Sequence, residues 1–173
     1  MRPTKKITIS AMATALGSAL MAIGAVWEVM DMALAAMASF LVVIILIEVG
    51  SPYPWLVWIT TSLITFLFFP GSTVWLMYFV FGVFPILKYY IEKLKRPFWF
   101  VLKLLYVNAC IIGLIYTVDF IFGMPLFETE YLILKIALYA LLNVAFFAYD
   151  RLLTLLIRLY IGKYRQRFRH LFK

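Results

Sequence analysis

The stretch ITISAMATALGSALMAIGAVW, residues 7–27, contains no charged side chain. An α-helix needs roughly 20 apolar residues to cross the hydrocarbon core of a bilayer, so this stretch is long enough to span a membrane. Further apolar stretches follow it, separated by charged residues or by Gly/Pro turns. The predicted spans are residues 7–27, 32–49, 54–69, 73–89, 98–122 and 131–158. The sequence therefore predicts an all-α, polytopic membrane protein with about six transmembrane helices.

The composition of the whole chain agrees with this pattern. Of the 173 residues, 66% are hydrophobic and only 14% are charged, whereas soluble domains carry about 25% charged residues. We expect one integral membrane domain over residues 1–173, in contact with membrane lipid. Its C-terminal part, residues 159–173, is predicted to be a basic amphipathic tail, with apolar residues at helical spacing: Ile161, Tyr164, Phe168 and Leu171.

The positive charges lie beside the predicted spans. A net charge of +8 would favour nucleic-acid binding in a soluble protein, but basic residues that flank apolar stretches set membrane topology instead. They cluster in residues 2–6, 88–96 and 163–173. With six spans, these clusters fall on one side, so both termini are predicted to be cytoplasmic, in a bacterial cytoplasmic (inner) membrane. The opposite side would carry acidic residues: Glu28, Asp31, Asp119, Glu128 and Glu130.

Catalytic patterns are absent from the sequence. The one histidine, His170, lies in the basic tail, and Cys110 has no metal-ligand cluster around it. Asp119 and Asp150 are predicted near opposite faces of the membrane, so they cannot form an aspartyl dyad. We therefore expect no intrinsic enzyme activity, no metal and no cofactor.

Polar residues inside the last two spans indicate a ligand site. They share one arc on each helix, and together they are predicted to line a cavity that opens to the outside, with Trp27 at its mouth. The alternative is that they hydrogen-bond from helix to helix, and that Lys135 pairs with Glu128 or Glu130. The candidate substrate-binding residues are Trp27, Asn108, Tyr116, Lys135, Tyr139 and Asn143.

Two charged residues lie at a similar depth on these helices, Lys103 on the fifth and Asp150 on the sixth. An ionised side chain near the bilayer centre costs at least ~2.5 kcal/mol unless it is paired or hydrated. Asp150 is therefore predicted to form a structural ion pair with Lys103 or Lys88.

The first predicted helix carries a stripe of small residues. Ala11, Ala15 and Ala19 repeat every four positions and therefore share one face. Small residues allow the close approach of a second helix, which favours association in lipid. The stripe predicts either a docking face for a partner or ordinary packing within the chain.

This alanine pattern, in a first helix behind a short basic N-terminus, resembles that of the substrate-binding S component of energy-coupling factor (ECF) transporters. The chain length, the six spans and the cytoplasmic ends are also similar to those of that family. The segment from Pro70 to Lys95, with the sequence FPILKYY at residues 84–90, resembles uncharacterised S-component-like membrane proteins. The loop near residues 28–31 is shorter than the substrate-covering loop of many family members, so the resemblance identifies no substrate.

The resemblance implies a function. In the family, the alanine motif docks the S component onto a transmembrane coupling subunit, which two ATPases drive, and the S component delivers a vitamin or similar micronutrient. By this resemblance, Ala11, Ala15 and Ala19 would be the docking residues here, and the partners would be the coupling subunit, its ATPases and a small-molecule substrate. The alternative is a non-transport scaffold or assembly protein that binds a partner through the same face.

Overall fold

The computed structural model describes residues 2–123 and 132–164, and these residues form six α-helices without a β-strand. The predicted all-helical architecture is thereby confirmed. The helices are α1 (Pro3–Val26), α2 (Asp31–Glu48), α3 (Tyr53–Phe68), α4 (Val74–Ile91), α5 (Arg96–Phe122) and α6 (Leu132–Leu159), with a 3-10 turn at Glu28–Met30 and a π-helical turn at Tyr160–Tyr164. The greater part of the predicted tail, residues 165–173, and the acidic positions Glu128 and Glu130 lie outside the described residues.

Five of these helices are long and apolar enough to cross a membrane, which makes the chain a multi-pass membrane protein. The shorter one is α3, whose 16 residues extend about 24 Å at 1.5 Å per residue. That is less than the ~30 Å hydrocarbon core. A helix of this length can cross where the bilayer thins locally.

Glycines in the left-handed conformation end two helices. Gly50 has φ +80° and follows α2, where its N–H donates to the Ile45 carbonyl at 3.0 Å. Gly123 has φ +61° and ends α5. Side chains with a Cβ rarely adopt this conformation, so glycine is suited to both helix ends.

The helices divide into two compact units. The first contains residues 1–89 and 153–173, and the second contains residues 90–152. In the first unit, α1 buries one face, which consists of Ser10, Ala13, Gly17, Met21 and Gly24. Two glycines allow close approaches. An added Cβ would lie only 2.9 Å from Val74 Cγ2 at Gly24, and it would make a tight contact of 3.3 Å with Thr61 Cγ2 at Gly17.

Contacts between side chains fix the helix directions in the first unit. The Lys6 ammonium lies 5.7 Å from the centre of the Tyr53 ring, so α1 and α3 begin at the same end. The indole N–H of Trp58 donates to the Phe79 carbonyl at 3.1 Å. Since the Phe66 and Trp75 rings also lie 5.0 Å apart, α4 runs antiparallel to α3. The basic residues at the start of α1 and the C-terminal end of α4 therefore lie at the same end of this unit.

The end of α6 also belongs to the first unit. Lys88, only 2% exposed, donates to Thr154 Oγ1 at 2.6 Å. The Phe40 and Tyr160 rings meet edge to face at 6.4 Å.

In the second unit, α5 pairs as an antiparallel hairpin with the part of α6 that ends at Leu152. The Phe100 and Phe147 rings stack at 5.5 Å, and the Tyr106 ring lies 5.9 Å from that of Phe146. Elsewhere both helices expose large apolar side chains such as Phe120 and Ile133. In a membrane this apolar surface is solvated by lipid tails.

Candidate functional site

The alanine stripe lies on the outer side of α1. Ala11, Ala15 and Ala19 are all exposed, and the buried face that contains Gly17 and Gly24 points to the opposite side of the helix. Packing within the chain is therefore carried by the glycine face rather than by the alanine stripe. The stripe remains available to another helix or to lipid.

A groove runs between α1 and α3 beside this stripe, with a volume of about 380 Å³. Ala11 and Ala15 line it from α1, whereas Ala19 is not among its lining residues. A larger side chain at position 15 would therefore fill the groove, whereas one at position 19 would alter only the outer surface of the helix.

The second unit contains a charged cluster. Lys103 Nζ donates to Asp150 Oδ2 at 2.8 Å and to Asp150 Oδ1 at 3.1 Å. It also donates to Glu92 Oε1 at 3.1 Å. Lys103 and Asp150 are 7% and 8% exposed, so both charges are largely shielded from lipid and water. Because each buried charge needs a partner, this arrangement can hold the two helices in one register.

Glu92 is the member of this cluster that sequence reasoning missed. It lies directly after α4, among basic residues that set the predicted topology. Glu92 and Lys103 are 11 residues apart with a turn between them, so no helical periodicity relates the two positions. A charge count of this turn would have identified Glu92 as its one carboxylate, but it would not have identified Lys103 as its partner.

Three of the predicted substrate-binding residues lie together in the second unit. The Tyr139 hydroxyl donates to Asn108 Oδ1, and the Asn108 amide donates to the Leu104 carbonyl at 2.7 Å. The Asn143 amide donates to the Tyr139 carbonyl at 3.1 Å. Asn143 Oδ1 is buried and has no hydrogen-bond donor within the described part of the chain. Of these three hydrogen bonds, the one between Tyr139 and Asn108 joins the two helices, and the other two run to a backbone carbonyl of the same helix. Asn143 Oδ1 remains as an acceptor.

The other predicted substrate-binding residues are more exposed. Tyr116 on α5 is 73% exposed, and Lys135 near the start of α6 is also exposed. Trp27 follows α1 in the first unit and is 62% exposed. None of these three belongs to the hydrogen-bonded group of Asn108, Tyr139 and Asn143.

Metal-binding groups of three or more His, Cys, Asp or Glu side chains are absent from residues 2–123 and 132–164. No family model, curated protein or solved structure matches this chain.

Proposed function

We propose that this chain is the substrate-binding S component of an ECF-type micronutrient transporter in a bacterial cytoplasmic membrane, with both termini in the cytoplasm. It binds a small molecule, and it docks through Ala11, Ala15 and Ala19 onto a transmembrane coupling subunit. ATP hydrolysis belongs to partner ATPases. The chain itself has no enzymatic role and no cofactor.

The observation that supports the docking role most directly is the position of the alanine stripe. All three alanines are exposed, although α1 buries another face, made mostly of small residues, against its own chain. Small residues at an exposed helix face allow a second backbone to come close and gain dispersion contacts. A coupling helix is the partner that the resemblance to S components implies.

The candidate ligand site centres on Asn108, Tyr139 and Asn143 in the second unit. Asn143 Oδ1 offers a hydrogen-bond acceptor without a donor among the described residues, and a buried acceptor of this kind is suited to a polar ligand group. Lys135 would contribute a positive charge, which is suited to an anionic micronutrient.

Affinity purification from the native membrane tests the docking role. Ala15→Trp places a large ring on the alanine stripe and is expected to remove ATPase activity from the purified material. Leu16→Trp is the matched control, because Leu16 is the next residue of α1 and is 58% exposed. Recovery of the ATPase with Ala15→Trp at the level of Leu16→Trp would contradict docking through this face.

A second candidate function is that of a scaffold or assembly protein that uses the same face. The hydrogen bond between the Tyr139 hydroxyl and Asn108 favours it, because polar side chains that satisfy one another across two helices stabilise the helix pair without a ligand. Native mass spectrometry of the purified chain distinguishes the two functions. A retained small molecule supports the S component, whereas an unrelated protein partner and no small molecule support the scaffold.

A further inference from the structure

The groove between α1 and α3 contains an unused hydrogen-bonding group. Ser10 lines the groove and is only 7% exposed, and its Oγ has no hydrogen-bond partner within the described residues. A buried hydroxyl without a partner is costly in an apolar environment. Ser10 lines the groove, so a ligand group that reaches its hydroxyl would supply the missing bond.

A positive charge lies at one end of the same groove. Tyr53 lines the groove, and the Lys6 ammonium lies 5.7 Å from the centre of the Tyr53 ring. Arg2 and Lys5 precede it in the sequence, so this end is strongly basic. Lys6 and Ser10 are four residues apart, which places them on one face of α1 about 6 Å apart along its axis.

The rest of the groove is largely apolar. Ala11 and Ala15 line it from α1, and Leu56, Val57 and Ile64 line it from α3. From its basic end inwards, the groove therefore offers a cation, then the Ser10 hydroxyl, then a mainly apolar channel to which Thr14 and Thr60 also contribute.

We propose that this groove binds one anionic glycerophospholipid. Its phosphate lies at Lys6, one ester carbonyl accepts a hydrogen bond from the Ser10 hydroxyl, and an acyl chain lies along Ala15 and Ile64. The order of groups in the lipid is the same as the order of side chains along the groove, because the ester carbonyls follow the phosphate and precede the acyl chains. This lipid covers part of the alanine stripe when no partner is docked, but its binding does not depend on the proposed transport function.

Native mass spectrometry of the isolated chain measures this binding. Two micelle preparations are used, one with dioleoylphosphatidylglycerol and one with the same amount of dioleoylphosphatidylcholine, and the protein is released from each. The wild type is expected to retain one phosphatidylglycerol. Lys6→Gln is expected to lower the retention of phosphatidylglycerol about fivefold, which is the effect on affinity of removing one basic residue near an anionic headgroup. Lys5→Gln, which removes the same charge one position away, is expected to lower retention less than Lys6→Gln does, because Lys5 lies about 100° around α1 from Lys6.

Three further variants locate the lipid. Ser10→Ala is expected to lower retention by about two- to tenfold, the effect of one lost hydrogen bond, without lowering the unfolding midpoint in lipid-free micelles. Ala15→Phe fills the groove and is expected to abolish retention, whereas Ala19→Phe, outside the groove, is expected to preserve it.

Equal retention of the two lipids by the wild type would overturn the role of charge. Equal effects of Lys6→Gln and Lys5→Gln would overturn the headgroup position, and equal effects of Ala15→Phe and Ala19→Phe would overturn the groove as the site. Because the isolated chain is used, these outcomes are independent of whether a coupling complex is recovered in the affinity experiment.

Discussion

At the scale of single residues, Lys103 contacts two carboxylates at once. Its Nζ lies 2.8 Å from Asp150 and 3.1 Å from Glu92. The two acidic residues differ in their surroundings, because the Asp150 side chain is 11% exposed and that of Glu92 is 35% exposed. The contact with Asp150 should therefore be the stronger one, since a more exposed pair is weakened by screening.

Removal of Lys103 should destabilise the protein. Lys103→Met leaves Asp150 buried without its main partner, and the free energy of unfolding is expected to fall by about 3–5 kcal/mol. Thermal unfolding in detergent micelles measures the change. Lys93→Met is the matched control, because Lys93 is exposed and its ammonium lies over the Tyr90 ring. Its removal is expected to cost less than about 1 kcal/mol.

An exchange of the two charges tests whether the pair itself is the cause. Lys103→Asp alone should abolish accumulation, and Asp150→Lys added to it should restore accumulation. The exchange needs a Glu92→Gln background, because Glu92 would otherwise lie beside the new aspartate at position 103. A double exchange that accumulates no better than the single reversal would exclude the pair as a structural element.

The sequence predicted part of this cluster for a clear physical reason. Lys103 and Asp150 interrupt apolar stretches, and a charge in hydrocarbon needs a partner. Glu92 lies beside a helix end where charges are common, so its sequence context gave no such signal. Ser10 likewise could not be distinguished from other small residues of α1, because the lack of a hydrogen-bond partner is visible only in the structure.

At the scale of elements, α1 has two small-residue faces with different surroundings. The sequence pattern singled out only the alanine stripe, and it left open whether that stripe docks a partner or packs within the chain, because small residues serve both purposes. The buried face that contains Gly17 and Gly24 is seen only in the structure. The assignment depends on which neighbouring helix approaches each face. The short distances from an added Cβ at the two glycines to Thr61 and Val74 show that the glycine face is the one packed within the chain.

Substitutions on the two faces of α1 should have different effects. Gly24→Leu introduces a Cβ at 2.9 Å from Val74 Cγ2, and Val74 is fully buried. Overpacking of this kind is expected to lower the free energy of unfolding by about 1–3 kcal/mol. Ala19→Leu, on the exposed face, is expected to change it by less than about 0.5 kcal/mol. Unfolding midpoints of the two variants in the same detergent measure the difference, and equal midpoints would contradict the assignment of the faces.

Helix boundaries were predicted well where charges or glycines mark them. The predicted fifth span began at Phe98, and α5 begins at Arg96, because charged residues can extend a helix beyond the hydrocarbon region. The third span was predicted over Pro54 to Phe69, and α3 covers Tyr53–Phe68. These positions follow from local composition, whereas the division into two compact units depends on contacts between distant residues.

At the scale of the whole molecule, the topology depends on α3. The other five helices are long enough to span the bilayer by length and composition, and five crossings would place the two termini on opposite sides. Six crossings place them on the same side, as the three basic clusters require. The docking role of α1 also needs this topology, because the resemblance to S components implies cytoplasmic ends.

Cysteine labelling of intact cells with a membrane-impermeant maleimide tests the topology most directly. The natural thiol is first removed by Cys110→Ser. Thr4→Cys, Ser51→Cys and Gly71→Cys then place one thiol in the first turn of α1, between α2 and α3, and between α3 and α4, and all three positions are exposed. We expect the reagent to label only the Gly71→Cys protein in intact cells, and all three proteins after the cells are opened. Labelling of Ser51→Cys and Gly71→Cys from the same side, or of Thr4→Cys from outside, would contradict the six-span topology with cytoplasmic ends.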